Sequence, residues 1–335
     1  MNLHACTILL GGLMLAAAAM PAAAQNQIYG QVRLTLNRTK AAPAGEQTEM
    51  RDNASRLGIK GAEDLGGGLA ALFGMEMGID ADTGAATVPA YRNSYVGLRG
   101  DWGAVALGRL DSANPTGSPL YSQVTAITSF AANDAGATAI GTSMLNARNR
   151  VSNAVGYASP NFSGFDFRAR YYLRGAVATP DVEDGSKSLD LGLNYAAGPL
   201  KAGVGFGKDT RPSGLLANEF SSKWQAGLRY DFGAIEPYVL AGRDSYQNTA
   251  LTRRHVNYWI AGAKYSQGAH AVVLNLLRRD VQASPAGVRK RQQLAYTYAL
   301  SKRTELQAFY DWDGVDSSKA NASIRSVGAG IRHDF

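Results

Sequence analysis

Residues 327–335 end the chain with VGAGIRHDF, and their side chains alternate between two kinds. Val327, Ala329, Ile331, His333 and Phe335 fall on one face of an extended strand, with glycines and charged residues between them. A period of two predicts a β-strand. Because chain ends fray unless another element holds them, this strand needs a partner elsewhere in the sequence.

Segments of about ten residues with the same alternation recur along the chain. Clear examples are residues 27–36, 165–174, 188–195, 223–232 and 305–312. Two further stretches, residues 254–266 and 269–280, carry apolar residues on both faces. Such strands indicate either a subunit contact or a β-bulge that shifts the alternation.

The connections between these segments alternate between short and long. The short ones are residues 63–68, 101–103, 161–164, 196–199, 231–234, 266–269 and 301–303. The long ones are residues 39–54, 81–90, 111–149, 175–187, 208–221, 245–253, 281–289 and 314–323. Fifteen connections join 16 strands, with tight turns at one end and loops at the other. This layout predicts an all-β fold, a transmembrane antiparallel β-barrel closed by pairing of the last strand with the first.

Residues 1–24 form an apolar run that ends in small side chains and predict a signal peptide, which leaves residues 25–335 as the barrel. A short membrane anchor is the alternative reading of this segment. Cys6 is the one cysteine, so the exported part carries no disulfide. The mean hydropathy of -0.18 is compatible with a membrane barrel, because only alternate strand residues face lipid.

Four stretches resemble the trimeric general diffusion porins of Gram-negative outer membranes. They are residues 55–78, 91–111, 150–165 and the terminal GIRHDF. The resemblance implies a homotrimer surrounded by outer-membrane lipid and lipopolysaccharide. It also implies a third external loop, residues 111–149, that folds inward to narrow the pore, and a terminal Phe335 that the barrel-assembly machinery reads as a signal.

The resemblance further implies a cluster of arginines on the wall opposite that loop, carried here by Arg56, Arg109 and Arg150. Alternation independently turns Arg56 and Arg150 toward the lumen. Arg92 and Arg109 share the parity of residues that face lipid, so they need a bulge to reach the pore. Alternation also directs further cations into the lumen, namely Arg33, Lys60, Arg168, Arg170 and Arg174.

The third loop contains only two acidic residues, Asp111 and Asp134, and Asp134 is the main candidate to balance the arginines. Charged rings at a constriction set the selectivity of a pore, so we expect a preference for small anionic or neutral solutes. A positive lumen accounts for the net charge of +7 without nucleic acid as a partner. No cofactor or metal is expected.

Two other functions remain open at this stage. A substrate-specific channel for sugars or organic acids would use a basic ladder, such as Arg168, Arg170 and Arg174. An outer-membrane barrel enzyme would need wall carboxylates or a Ser–His pair. The count of 16 strands opposes the enzyme, as does the placement of His255, His270 and His333 in the last third of the chain.

Overall fold

The computed structural model describes residues 25–42, 45–111, 114, 116–129, 148, 150–173, 185–217, 219–247, 253–281, 287–316 and 322–335. The first strands are β1 (Gln25–Ala42), β2 (Gly45–Asp52), β3 (Arg56–Gly66), β4 (Leu69–Asp80), β5 (Ala85–Gly100) and β6 (Gly103–Leu110). Helix α1 (Pro119–Ile127) precedes β7 (Val151–Ala158), β8 (Phe165–Leu173), β9 (Lys187–Ala197), β10 (Leu200–Thr210), β11 (Phe220–Tyr230) and β12 (Ile235–Gln247). The chain ends with β13 (Arg253–Gln267), β14 (His270–Val281), β15 (Gly287–Ala299), β16 (Thr304–Asp316) and β17 (Ala322–Asp334).

The strands form one closed antiparallel sheet, in which β17 pairs with β1 from Gln31↔Asp334 to Ala42↔Ser323. The 17 segments occupy 16 wall positions, because β2 and β3 both pair with β1 and together form one interrupted strand. The prediction of a 16-stranded barrel closed by its terminal strands is therefore confirmed. No helix within the described ranges is both long and apolar enough to cross a membrane.

The two faces of the wall have opposite polarity. On β1, Ile28 and Leu36 point outward with 71% and 58% of their surface exposed, whereas Arg33 and Asn37 point inward and are buried. This arrangement is the reverse of that in a water-soluble domain, and it is typical of a barrel whose outer face contacts lipid.

Helix α1 belongs to the third loop and lies inside the barrel. The Ser118 hydroxyl caps its first turn by accepting a hydrogen bond from the Tyr121 N–H at 3.1 Å. Val124 and Ile127 pack against inward-facing residues of β12, β13 and β14. The wall residues of this cluster are Tyr238, Leu240, Tyr258, Ile260 and Leu277.

This packing explains why residues 254–266 and 269–280 are apolar on both faces. The registers of β12 with β13 and of β13 with β14 are continuous, so the bulge considered for these strands is wrong. Their inner face is apolar because the helix covers it, which is a contact that alternation alone does not reveal.

Glycines on the inner wall let the helix approach the barrel closely. A Cβ atom on Gly205 would lie 2.6 Å from Gln123 Oε1 and 2.7 Å from Leu120 Cδ2. Gln123 Nε2 donates to the Val204 carbonyl at 2.7 Å, and Gln225 Nε2 donates to the Leu120 carbonyl at 2.8 Å. These contacts hold residues 116–129 inside the barrel, while residues 130–147 lie outside the described part.

Candidate constriction site

A cavity of about 980 Å³ lies between helix α1 and the facing barrel wall. The described residues that line it include seven cations: Arg33, Arg56, Arg92, Arg150, Arg229, Lys264 and Arg332. They include three carboxylates: Glu76, Asp111 and Glu305. Tyr121, Thr125, Thr128 and Ser129 present hydroxyl groups from the loop side. The cavity therefore has an arginine-rich wall that faces a hydroxyl-rich loop.

Glu76 on β4 organises the centre of the arginine wall. It is 3% exposed, and its Oε1 accepts a hydrogen bond from Arg92 Nε at 2.7 Å. Its Oε2 accepts one from the Tyr29 hydroxyl at 3.1 Å and lies 3.7 Å from Arg56 Nε. We did not single out Glu76 from the sequence, although alternation places it inward between the outward Met75 and Met77. One carboxylate thus fixes two arginines and offsets part of their charge.

Arg92 reaches the cavity because β5 contains a bulge. Glu76 pairs with Asn93 and Met77 pairs with Tyr91, so Arg92 has no cross-strand partner of its own. The bulge turns Arg92 and Asn93 toward the same face. Simple alternation along β5 would turn Arg92 toward lipid, and this bulge is the irregularity that turns it toward the pore.

Arg109 lies on the outer face, in contrast to the expectation that it lines the pore. Gly108 pairs with Ala154 and Leu110 with Val151, so the extra residue belongs to β7 and β6 keeps its alternation. Arg109 therefore shares the outward parity of its strand, and it donates to the Tyr91 carbonyl at 2.8 Å and to Ser152 Oγ at 2.9 Å. Arg109 would face the pore only if the bulge lay in its own strand, β6, but the bulge lies in β7.

The bulge in β7 also changes the direction of Val151, but the neighbouring Arg150 still lines the cavity, as predicted from alternation. Alternation turned Arg150 inward on the assumption that Val151 faces lipid, but Val151 packs against buried Leu110 and Ala154. Arg150 precedes β7, lines the cavity and contacts the Asp111 carboxylate. The two ends of the third loop are thereby joined at the pore.

The remaining predicted cations have different surroundings. Arg33 lines the cavity and donates to Gln307 Oε1 from Nε at 3.0 Å and from Nη2 at 2.9 Å. Lys60 faces inward with its Nζ 5.0 Å from the centroid of the Tyr29 ring, outside the cavity lining. Neither Arg168, which pairs with Asp166 at 2.8 Å, nor the fully buried Arg170 lines the cavity. Asp134 and Arg174 lie outside the described residues.

Comparison with known proteins identifies the family. Residues 11–318 match the family described as Gram-negative porin. The chain belongs to this family. The major outer membrane protein P.IB of Neisseria sicca is 32% identical over 198 residues, which cover 55% of this chain and 53% of that protein. The outer membrane porin protein 32 of Delftia acidovorans is 32% identical over 174 residues, which cover 50% of this chain and 48% of that protein. The chain thus spans about half the length of these relatives.

Solved structures support the same architecture. The anion-selective porin from Comamonas acidovorans superposes with a TM-score of 0.74 and 26% identity, over 93% of this chain and 100% of that chain. The Salmonella typhi OmpF complex with daunomycin has the same fold, with a TM-score of 0.66 and 12% identity over 92% of this chain and 97% of that chain. The protein is therefore a multi-pass β-barrel of the Gram-negative outer membrane.

Arg148 anchors the return leg of the third loop of this porin, and we did not predict it from the sequence. It forms ion pairs with Asp190 and Asp209 and lies 4.7 Å from the centroid of the Phe220 ring. Arg170 Nη2 donates to the Arg148 carbonyl at 2.6 Å. Burial alone would lower the pKa of Arg148, but the two aspartates raise it above its ordinary value. The loop is therefore fixed to the wall two residues before Arg150.

Phe335 closes the barrel against β1. The Gly30 N–H donates to the Phe335 carbonyl at 3.0 Å, and the Phe335 N–H donates to the Gly30 carbonyl at 3.1 Å. A Cβ atom on Gly30 would lie 2.3 Å from the Phe335 ring, so the absence of a side chain at Gly30 makes room for the terminal aromatic group.

Proposed function

We propose that this porin forms a water-filled channel through which small hydrophilic anions and neutral solutes diffuse passively. The observation that carries the proposal is the lining of the cavity, where seven cations outnumber three carboxylates among the described residues. Six of these seven cations are arginines, which stay protonated at every physiological pH, so this positive charge is permanent. A narrow channel in a low-dielectric wall focuses such a field and concentrates anions.

The described part of the third loop supports the same preference. Residues 116–129 contain no charged side chain and present hydroxyl groups to the cavity. Asp111, at the start of the loop, is already in contact with Arg150. Asp134 remains our proposed further counter-charge.

We also propose that the barrel assembles as a homotrimer surrounded by outer-membrane lipid and lipopolysaccharide, after the barrel-assembly machinery has read Phe335. The outward position of Arg109 supports a protein partner at this face. An arginine against lipid costs about 2–4 kcal/mol near the bilayer midplane. A neighbouring subunit over β5–β7 would shield its guanidinium group from the hydrocarbon.

A passive channel is favoured over a barrel enzyme. The described residues that line the cavity include one histidine, His270. Its Nδ1 lies 2.7 Å from the Tyr296 hydroxyl. No group of three or more metal-binding side chains occurs in the part of the chain that the structure describes. A substrate-specific channel is less well supported, because Arg170 of the possible basic ladder is buried in an ion pair with Asp190.

The proposal is tested by the reversal potential of the reconstituted protein in a KCl gradient. We expect the sign that corresponds to chloride preference, and a larger value at low salt, where screening is weak. A cation-selective reversal potential would contradict the proposal. Competition by sugars or organic acids at micromolar concentration would instead favour a substrate-specific channel.

A further inference from the structure

Two lysines in the short-turn half of the lumen carry a charge that no carboxylate within the described ranges neutralises. Lys60 on β3 shares the inward parity of Arg56, and Lys264 on β13 lines the cavity. Neither lysine forms an ion pair with a described carboxylate. On the shorter way round the barrel, five wall strands separate β3 from β13, so the two lysines lie on different sides of the lumen.

Both lysines lie between the arginine wall and the short turns. Lys60 is four residues nearer the short turn than Arg56 on β3, which is about 10 Å along the pore axis for a strand tilted by about 40°. Lys264 is three residues before the end of β13 at Gln267, so it lies about 8 Å above its turn for the same tilt. An anion that moves between the arginine wall and the short-turn mouth therefore passes these two ammonium groups.

The inward-facing carboxylates of this half are engaged by other groups. Three of them pair with arginines at 2.7 or 2.8 Å, namely Asp166 with Arg168, Glu236 with Arg229 and Asp334 with Arg332. Glu305 accepts a hydrogen bond from Gln307 Nε2 at 3.1 Å and lies opposite Arg332 in the register of β16 and β17. The planar guanidinium group suits a paired carboxylate better than an ammonium group does. The arginines therefore take the carboxylates, and the two lysines keep their charge for ions in the lumen.

An aromatic ring holds Lys60 in place without cancelling its charge. The Lys60 Nζ lies 5.0 Å from the centroid of the Tyr29 ring, within the range of a cation–π contact. The Tyr29 hydroxyl donates to Glu76 Oε2 at 3.1 Å, so the same side chain connects Lys60 to the arginine wall. The ring attracts the ammonium group through its quadrupole and carries no net charge, so the positive charge of Lys60 still acts on passing ions.

We propose that Lys60 and Lys264 form a second site that attracts small anions, between the constriction and the short-turn mouth. The site recognises charge instead of shape, because a lysine ammonium group is a point charge on a flexible stem. It makes the ion preference depend on the salt concentration at the short-turn side, since that solution screens these two charges. The proposal rests on the water-filled channel proposed above, and it adds a dependence on side that the arginine wall alone does not produce.

The test measures the reversal potential of single channels between about 0.01 M and about 0.15 M KCl, with the gradient applied in each direction. Two unit charges about 10 Å from a passing ion change the ratio of chloride to potassium permeability about twofold at 0.15 M and about sevenfold at 0.01 M. The variant K60Q/K264Q should therefore lower this ratio about sevenfold when the dilute solution is at the short-turn side, and about twofold in the opposite direction. The variant R56Q removes a charge at the constriction and should lower the ratio by similar factors in both directions.

Two further variants separate the charge of these lysines from their packing and from charge elsewhere. K60R/K264R keeps both charges and should behave as the wild type, and K187Q/K208Q removes two exposed lysines from the outer wall and should leave the ratio unchanged. An unchanged ratio in K60Q/K264Q, or an equal fall in both directions, would overturn the proposal, as would the same fall in K60R/K264R. A cation-selective wild type would contradict the proposed ion preference instead, whereas a direction-dependent fall in K60Q/K264Q would still support the lysine site.

Discussion

The arginine wall makes a quantitative prediction for ion preference. Replacing Arg56 and Arg150 with glutamate changes the described lining from seven cations and three carboxylates to five of each. Anion preference should therefore disappear, because the excess of four positive charges is cancelled. This expectation is weaker than a full reversal, since Arg33 and Arg92 still line the cavity on the same wall.

The size of the effect follows from Coulomb interactions in a hydrated pore. A unit charge about 7 Å from a passing ion contributes about 0.6 kcal/mol in water, and screening at physiological salt reduces this to about 0.25 kcal/mol. Four units of charge then change the energy of an anion by about 1 kcal/mol and that of a cation by the same amount with opposite sign. The ratio of chloride to potassium permeability should fall about thirtyfold.

The assay is the reversal potential of single channels in a KCl gradient, recorded at high and low salt. The recording is made near pH 8, where the introduced glutamates are ionised. The matched control K187E/R253E makes the same change of four charge units on outward-facing exposed residues and should leave the potential unchanged. An unchanged potential in R56E/R150E, or an equal shift in the control, would refute the reasoning.

Three further predictions concern the loop and barrel closure. Gly205→Val should displace helix α1 and give a larger, noisier single-channel conductance, because the added methyl groups clash with Gln123 and Leu120, whereas the outward Ala202→Val should behave as wild type. Arg148→Gln should increase transitions between conductance levels by releasing the return leg of the loop, unlike Arg289→Gln, which breaks a wall ion pair with Asp313; equal noise in both variants would contradict the anchoring role. Phe335→Ser should reduce the fraction of heat-modifiable barrel in the outer membrane while export continues, and full insertion would disprove its role in assembly.

The sequence by itself determined the architecture of this protein. Alternation of side chains assigned the faces of most strands, and alternation of short and long connections gave the number of wall positions. These signals are local, because each strand residue faces either lipid or lumen and the two environments select opposite side chains. Resemblance to a family then indicated which loop folds inward, and the structure shows residues 116–129 inside the barrel.

Only the tertiary structure decided which arginines line the constriction. In the sequence, both Arg92 and Arg109 alternate in step with residues that face lipid. A bulge in β5 turns Arg92 inward, whereas the bulge next to Arg109 lies in the neighbouring strand β7 and leaves Arg109 on the outer face. A bulge depends on the pairing of two strands, so the parity of one strand cannot locate it. The pairing of Glu76 with Arg92 and the anchoring of Arg148 join residues 16 to 61 positions apart. Such contacts form only when the closed barrel brings distant strands together, and they have no periodic signal in the sequence.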